Sequence, residues 1–84
     1  MTRAQVRQEL IAFLDTIRRP NFPMDAIGDC DSLVGSGLID SLAVLQIVLH
    51  LETTYSIDFA ESGFDPDELG SISEILDLIE RRSR

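Results

Sequence analysis

The sequence predicts an all-α fold of three main helices and one short helix, with an unusually long first connection. Three observations carry this. Apolar residues recur at the period of about 3.6 that marks a helix face in three separate stretches. No stretch alternates apolar and polar residues as a strand would, and neither repeats nor low-complexity tracts occur. The chain has 84 residues, enough for a single domain that buries only roughly 60 to 65% of the surface its unfolded form exposes. Residues 1–84 are therefore read as one domain with little room for an enclosed catalytic cavity.

The first helix is expected over residues 2 to about 18. Val6, Leu10, Phe13, Leu14 and Ile17 fall on one face. Thr2 and Gln5 have the spacing of a capping box, Arg18 and Arg19 suit the negative end of the helix dipole, and Pro20 stops the helix. A membrane-surface role is disfavoured, because Glu9 and Asp15 interrupt the polar face.

From Pro20 to Ile39 no period is sustained, and the segment holds two prolines, three glycines and the acids Asp25, Asp29 and Asp31. Connections in compact domains have a median of about 4 to 6 residues, so one this long is either functional or tied down by its own side chains. Phe22, Ile27, Leu33 and Leu38 are the candidate ties. Asp29-x-Asp31 is not a calcium loop: Leu33 and Val34 stand where such a loop needs an acid or amide and a glycine. Cys30, between two aspartates, is expected to be a small, partly buried side chain and not a reactive thiol.

The second helix is expected from about Ser41 to Ser56 with Asp40 as its N-cap. Turning about 100° per residue gathers Val44, Ile47, Val48, Leu51 and Tyr55 into a core stripe. Leu42, Leu45 and Leu49 fall outside it and, with Ala43, Gln46 and His50, make a second, partly apolar face beginning beside Ser41. That face is read as a partner-docking surface, against the plainer account of scattered surface leucines.

Ile57 and Phe59 then anchor a connecting segment. Asp65-Pro66-Asp67-Glu68-Leu69-Gly70 has the signs of one helical turn: an Asp cap, Pro at the first helical position and Gly past the end. Ser71 and Glu74 form a capping box for the last helix, whose apolar face is Ile72, Ile75, Leu76 and Ile79 and which Arg81 and Arg82 close.

Composition narrows function. The formal charge of −8 at pH 7 argues against nucleic acid or an anionic membrane as a partner. All seven basic residues are arginines near the two ends, with none between Pro20 and Glu80, so the middle is either a solvated acidic surface or an acidic docking surface. A single cysteine excludes an internal disulfide and any multi-cysteine metal site, no signal-peptide pattern opens the sequence, and no apolar run spans a bilayer. A cytoplasmic location and a monomer are expected, with no metal.

Ser41 is the candidate site. It sits where an irregular acidic segment gives way to a helix, and a helix N-terminus favours a phosphate. It has no catalytic base: the one histidine, His50, lies nine residues along the same helix, about 13 Å up the axis and on its far side. Neither a Gly-x-Ser-x-Gly elbow nor a phosphate loop with lysine exists in this lysine-free chain. An enzyme is not expected.

Gly37-Leu38-Ile39-Asp40-Ser41-Leu42, followed by Glu52, Tyr55, Ile57 and the Ser71-Ile72 step into a last helix, resembles the acyl carrier protein family of phosphopantetheine-binding carriers over nearly the whole chain. The resemblance implies an acyl-carrier-protein-like four-helix bundle. It implies that a phosphopantetheinyl transferase moves 4′-phosphopantetheine from coenzyme A onto Ser41, assisted by Asp40. The thiol of that arm then holds an acyl or aminoacyl group as a thioester. The implied partners are this transferase, a loading ligase or synthase, and downstream acyl- or aminoacyl-accepting enzymes, docking on Leu42 and the second-helix face. Fatty-acid carriers usually show an acidic second helix, whereas Glu52 is the only acid between Ser41 and Ile57 here, and Gly-Leu-Ile before Asp-Ser looks more like the D-alanyl, aminoacyl and peptidyl carriers. The alternative is a carrier-fold binding module that is never modified and acts only through protein contacts.

Overall fold

A computed structural model describes residues 2–59 and 66–82. Three α-helices, α1 (Arg3–Ile17), α2 (Ala43–Tyr55) and α3 (Ile72–Arg82), are joined by two 3₁₀ turns, Met24–Ala26 and Pro66–Leu69. The described residues are all-helical and contain no strand. No described helix is long and apolar enough to cross a membrane.

The first helix starts as the sequence dictates. Thr2 Oγ1 accepts from the Gln5 N–H at 3.2 Å and the Gln5 side chain accepts from the Thr2 N–H at 3.0 Å, so two of the otherwise orphaned donors are satisfied. Val6, Leu10 and Leu14 are buried, while Phe13 and Ile17 pack at the edge of the core. At the other end the chain turns extended at Arg18, whose guanidinium is held by Asp15 at 2.6 Å and by the Phe22 carbonyl at 3.1 Å. Arg18 thus braces the exit of the helix as well as facing its negative end.

Helix α2 runs antiparallel to α1, since the Tyr55 hydroxyl donates to Glu9 at 2.8 Å while the His50 ring, further back along α2, stacks on Phe13 with centroids 4.0 Å apart. Ile47, Val48, Leu51 and Tyr55 are buried as predicted; Val44 is only half-buried. Ser56 ends the helix in the left-handed conformation, φ 58°. The Pro66–Leu69 turn falls where the Pro and Gly signals put it, whereas the Asp65 cap lies outside the described residues. At the start of α3, Ser71 Oγ accepts from the Glu74 N–H at 3.2 Å. Its buried face is wider than the sequence suggests, because Leu78 joins Ile72, Ile75, Leu76 and Ile79.

The long connection is fastened by more than its apolar residues. Leu33, Leu38 and also Ile39 are fully buried, and Phe22 and Ile27 pack against the core. Two backbone bonds stitch the connection to the entry of α3, Leu33 N–H to the Gly70 carbonyl at 2.8 Å and Ser73 N–H to the Asp29 carbonyl at 2.9 Å. The Asp29 carboxylate then receives a two-pronged hydrogen bond from Arg7 on α1, at 2.8 and 2.7 Å. Asp29 therefore ties α1, the connection and α3 together. Asp31 is also used locally, accepting from the Gly28 N–H at 2.7 Å. Cys30 between them is exposed, not partly buried: its neighbours' side chains are the ones turned to Arg7 and to the Gly28 N–H. Gly37, with φ +92°, supplies the reversal that returns the chain to Leu38 and Ile39.

Every arginine of α1 and α3 meets an acid: Arg3 holds Asp77 and Glu80, Arg7 holds Asp29, and Arg81 and Arg82 hold Glu68. The basic ends of the sequence thus become cross-links between elements.

Candidate functional site

Ser41 lies in a turn two residues ahead of α2 and is exposed. Its position is set by Asp40, whose carboxylate and carbonyl oxygens accept from the Ala43 N–H at 2.9 and 3.2 Å. The expected Asp40 N-cap is corrected: the helix opens at Ala43 and not at Ser41, its N-cap position is Leu42, already helical at φ −71°, ψ −31°, and Asp40 reaches the first helical N–H from the turn before it. The side chain of Asp40 takes up one of the N–H groups that make a helix start attractive to anions. A phosphate on Ser41 would share that positive end with a carboxylate, so the favourable dipole contribution falls at the low end of about 0.3 to 1 kcal/mol.

The predicted second face divides. Leu42, Leu45 and Leu49 are 73%, 56% and 61% exposed, and Gln46 is exposed beside them. Ala43 is buried at 5% exposure and so cannot belong to a docking face. His50 is half-buried against Phe13, and its ring also meets the edge of Tyr55 at 6.1 Å. His50 thus lies on the side of α2 that α1 covers. The signal that could have found this is spacing: Ala43, Ile47, His50 and Leu51 follow the i, i+4, i+7, i+8 stripe of one helix face.

Missed altogether by the sequence reading is a cleft of about 390 Å³ that opens at Ser41 and is walled by Val44 and Leu45 of α2, Ser32 and Val34 of the connection, and Leu69 and Gly70. Its side chains are apolar apart from the two serine hydroxyls, and none is charged. The elements converge there because the backbone bond from Leu33 to Gly70 closes the wall opposite α2. Long-range pairing of this kind leaves no periodic trace in a sequence.

Among the described residues no base is hydrogen-bonded to Ser41, and the neighbouring Asp40 carboxylate is taken up by the Ala43 N–H. His50 is engaged with Phe13 and Tyr55 on the α1 side, and burial holds its imidazole below the ordinary pKa of 6.5, opposed in part by the Glu9 carboxylate. Burial, with the hydrogen bond to Glu9, pushes the Tyr55 phenol up to about 12. No cluster of three His, Cys, Asp or Glu side chains suited to a metal occurs among the described residues. Chemically, the arrangement offers an exposed hydroxyl at the lip of an uncharged apolar cleft, flanked by a row of exposed leucines. Comparison with protein-family models, with curated proteins and with solved structures finds no match.

Proposed function

We propose that this chain is a discrete carrier of the acyl carrier protein type, completing a four-helix bundle of that fold and bearing 4′-phosphopantetheine on Ser41. The observation that carries the reading is the exposed Ser41 hydroxyl on the wall of an apolar cleft, with no base hydrogen-bonded to it among the described residues. A nucleophilic serine needs a base of its own, whereas an attachment point needs exposure to an enzyme that brings one. The site fits the group in both parts: the hydroxyl is free of the fold, and the cleft beside it has an apolar wall on which an uncharged chain can rest. When bound, the arm supplies a thiol that holds a cargo as a thioester.

The chain's own residues do the rest. Asp40 fixes the turn that presents Ser41 and, by the same resemblance, assists the transferase. Leu42, Leu45 and Leu49, with Gln46 among them, offer the transferase, the loading ligase or synthase, and the accepting enzymes an uncharged apolar strip. Such a strip predicts association that depends little on salt. The cleft also bears on the cargo. Val34, Val44, Leu45 and Leu69 favour an apolar acyl tail, while an aminoacyl ammonium would find no partner there and stay in water.

Intact-mass measurement after incubation with coenzyme A, magnesium and a broad-specificity phosphopantetheinyl transferase tests the reading. The wild type gains one phosphopantetheine and Ser41→Ala gains none. An unchanged wild-type mass would instead favour a carrier-fold module that works only through protein contacts.

A further inference from the structure

His50 is the one described residue with a buried side-chain polar atom left without a hydrogen-bond partner. Its imidazole is stacked flat on Phe13 of α1, with centroids 4.0 Å apart and planes 6° from parallel, and Tyr55 meets it edge-on at 84°. Nδ1 faces the Thr54 hydroxyl at 3.4 Å, while Nε2 is the buried atom that meets no partner among the described residues. The neutral ring with its proton on Nδ1 fits this site, since Nε2 is then a bare acceptor. Adding a proton at Nε2 creates a buried N–H with no acceptor, which is costly even for a neutral group and more so for a cation.

The charged and titratable groups facing the ring are Glu9 from α1 and Tyr55 from its own helix. Glu9 attracts an imidazolium, but its carboxylate already accepts the Tyr55 hydroxyl at 2.8 Å, and Nε2 does not reach it. The cation's remaining route to hydration is to leave the stack. We propose that His50 is a proton-operated latch on the α1–α2 seam: neutral, its ring is a plate clamped between Phe13 and Tyr55, and protonated, it swings out and loosens the packing of α2 on α1. The device sits beside Leu49, so the helix it loosens is the one that carries the exposed leucine row.

The sign follows from linkage. An unfolded histidine titrates near pH 6.5 and the clamped ring lower, so the unfolded chain binds the extra proton first. The latch's stabilisation is complete above about pH 6.5 and is lost as pH falls through the folded value.

Two measurements on the full chain test the latch. In the first, an NMR titration of the wild type follows the His50 ring and its contacts to Phe13. The expected result is a midpoint below that of a free histidine, with the Phe13 contacts vanishing across the same transition. A midpoint at or above about 6.5, or contacts that persist through it, would overturn the latch. In the second, His50→Phe keeps an aromatic plate that cannot titrate. Its melting temperature minus that of the wild type should widen between about pH 7.5 and pH 5, and a gap that stays constant would also overturn the proposal.

Discussion

The two sides of α2 are made of the same kinds of residue and meet opposite fates. Ile47, Val48 and Leu51 are buried against the rest of the bundle, whereas Leu45 and Leu49, with Leu42 in the turn before them, are more than half exposed. Folding accounts for the first set, because each buried leucine or isoleucine contributes roughly 1.5 to 3 kcal/mol by leaving water. It does not account for the second. A row of leucines at i, i+3 and i+7 beside an exposed serine and an apolar cleft is a surface that the fold itself does not use.

Substitutions on the two sides should separate most widely at the core. Leu51→Ala leaves a cavity among fully buried neighbours and is expected to cost about 2 to 5 kcal/mol, read as a lower denaturant midpoint. The matching Leu49→Ala should stay within about 0.5 kcal/mol. Equal losses at the two positions would abolish the distinction between the faces.

A smaller effect is expected at the polar fastening of the connection. Arg7→Ala removes a two-pronged but half-exposed ion pair and should cost about 1 kcal/mol or less. Its pH dependence identifies it. The Arg7 guanidinium, through its hydrogen bonds, holds the Asp29 carboxyl below its ordinary value of 3.8, so the pair's stabilisation is present above that value and is lost as pH falls through the folded one. Urea midpoints of wild type and Arg7→Ala should therefore converge in acid and stand apart near neutrality; a constant separation would mean that the arginine acts by packing alone.

The smallest effect on stability, paired with a loss in function, belongs to Leu49→Glu. The fold should be unperturbed within about 0.5 kcal/mol, while loading by partner enzymes slows. Loading at the wild-type rate would return Leu49 to the ordinary exposed leucines.

What was legible in the sequence follows from how each feature is encoded. Local signals read directly: the Thr2–Gln5 capping box, the turn at Pro66–Leu69 and the three helical faces all depend on residues within a few positions of one another. The start of α2 was displaced by two residues, because Asp40 reaches the Ala43 N–H and leaves Ser41 in the lead-in turn. The burial of Ala43 and half-burial of His50 follow the i, i+4, i+7, i+8 stripe they share with Ile47 and Leu51, which the second-face reading overrides; what no local signal supplies is the neighbour that covers that stripe. For His50 that neighbour is Phe13, 37 positions away. Asp29 shows the same limit. Its acidity is evident in the sequence, but its partner Arg7 and its backbone bond to Ser73 are products of the completed fold.

The central claim, that Ser41 is an attachment point and the leucine row beside it a surface for other enzymes, is tested most directly by weighing the protein from the cells that make it. Intact-mass spectrometry of the chain purified from its native source should find it heavier than its sequence by one phosphopantetheine, with the addition absent from a Ser41→Ala strain. A native protein whose mass equals that of the bare chain, or an addition that survives the loss of Ser41, would contradict the account.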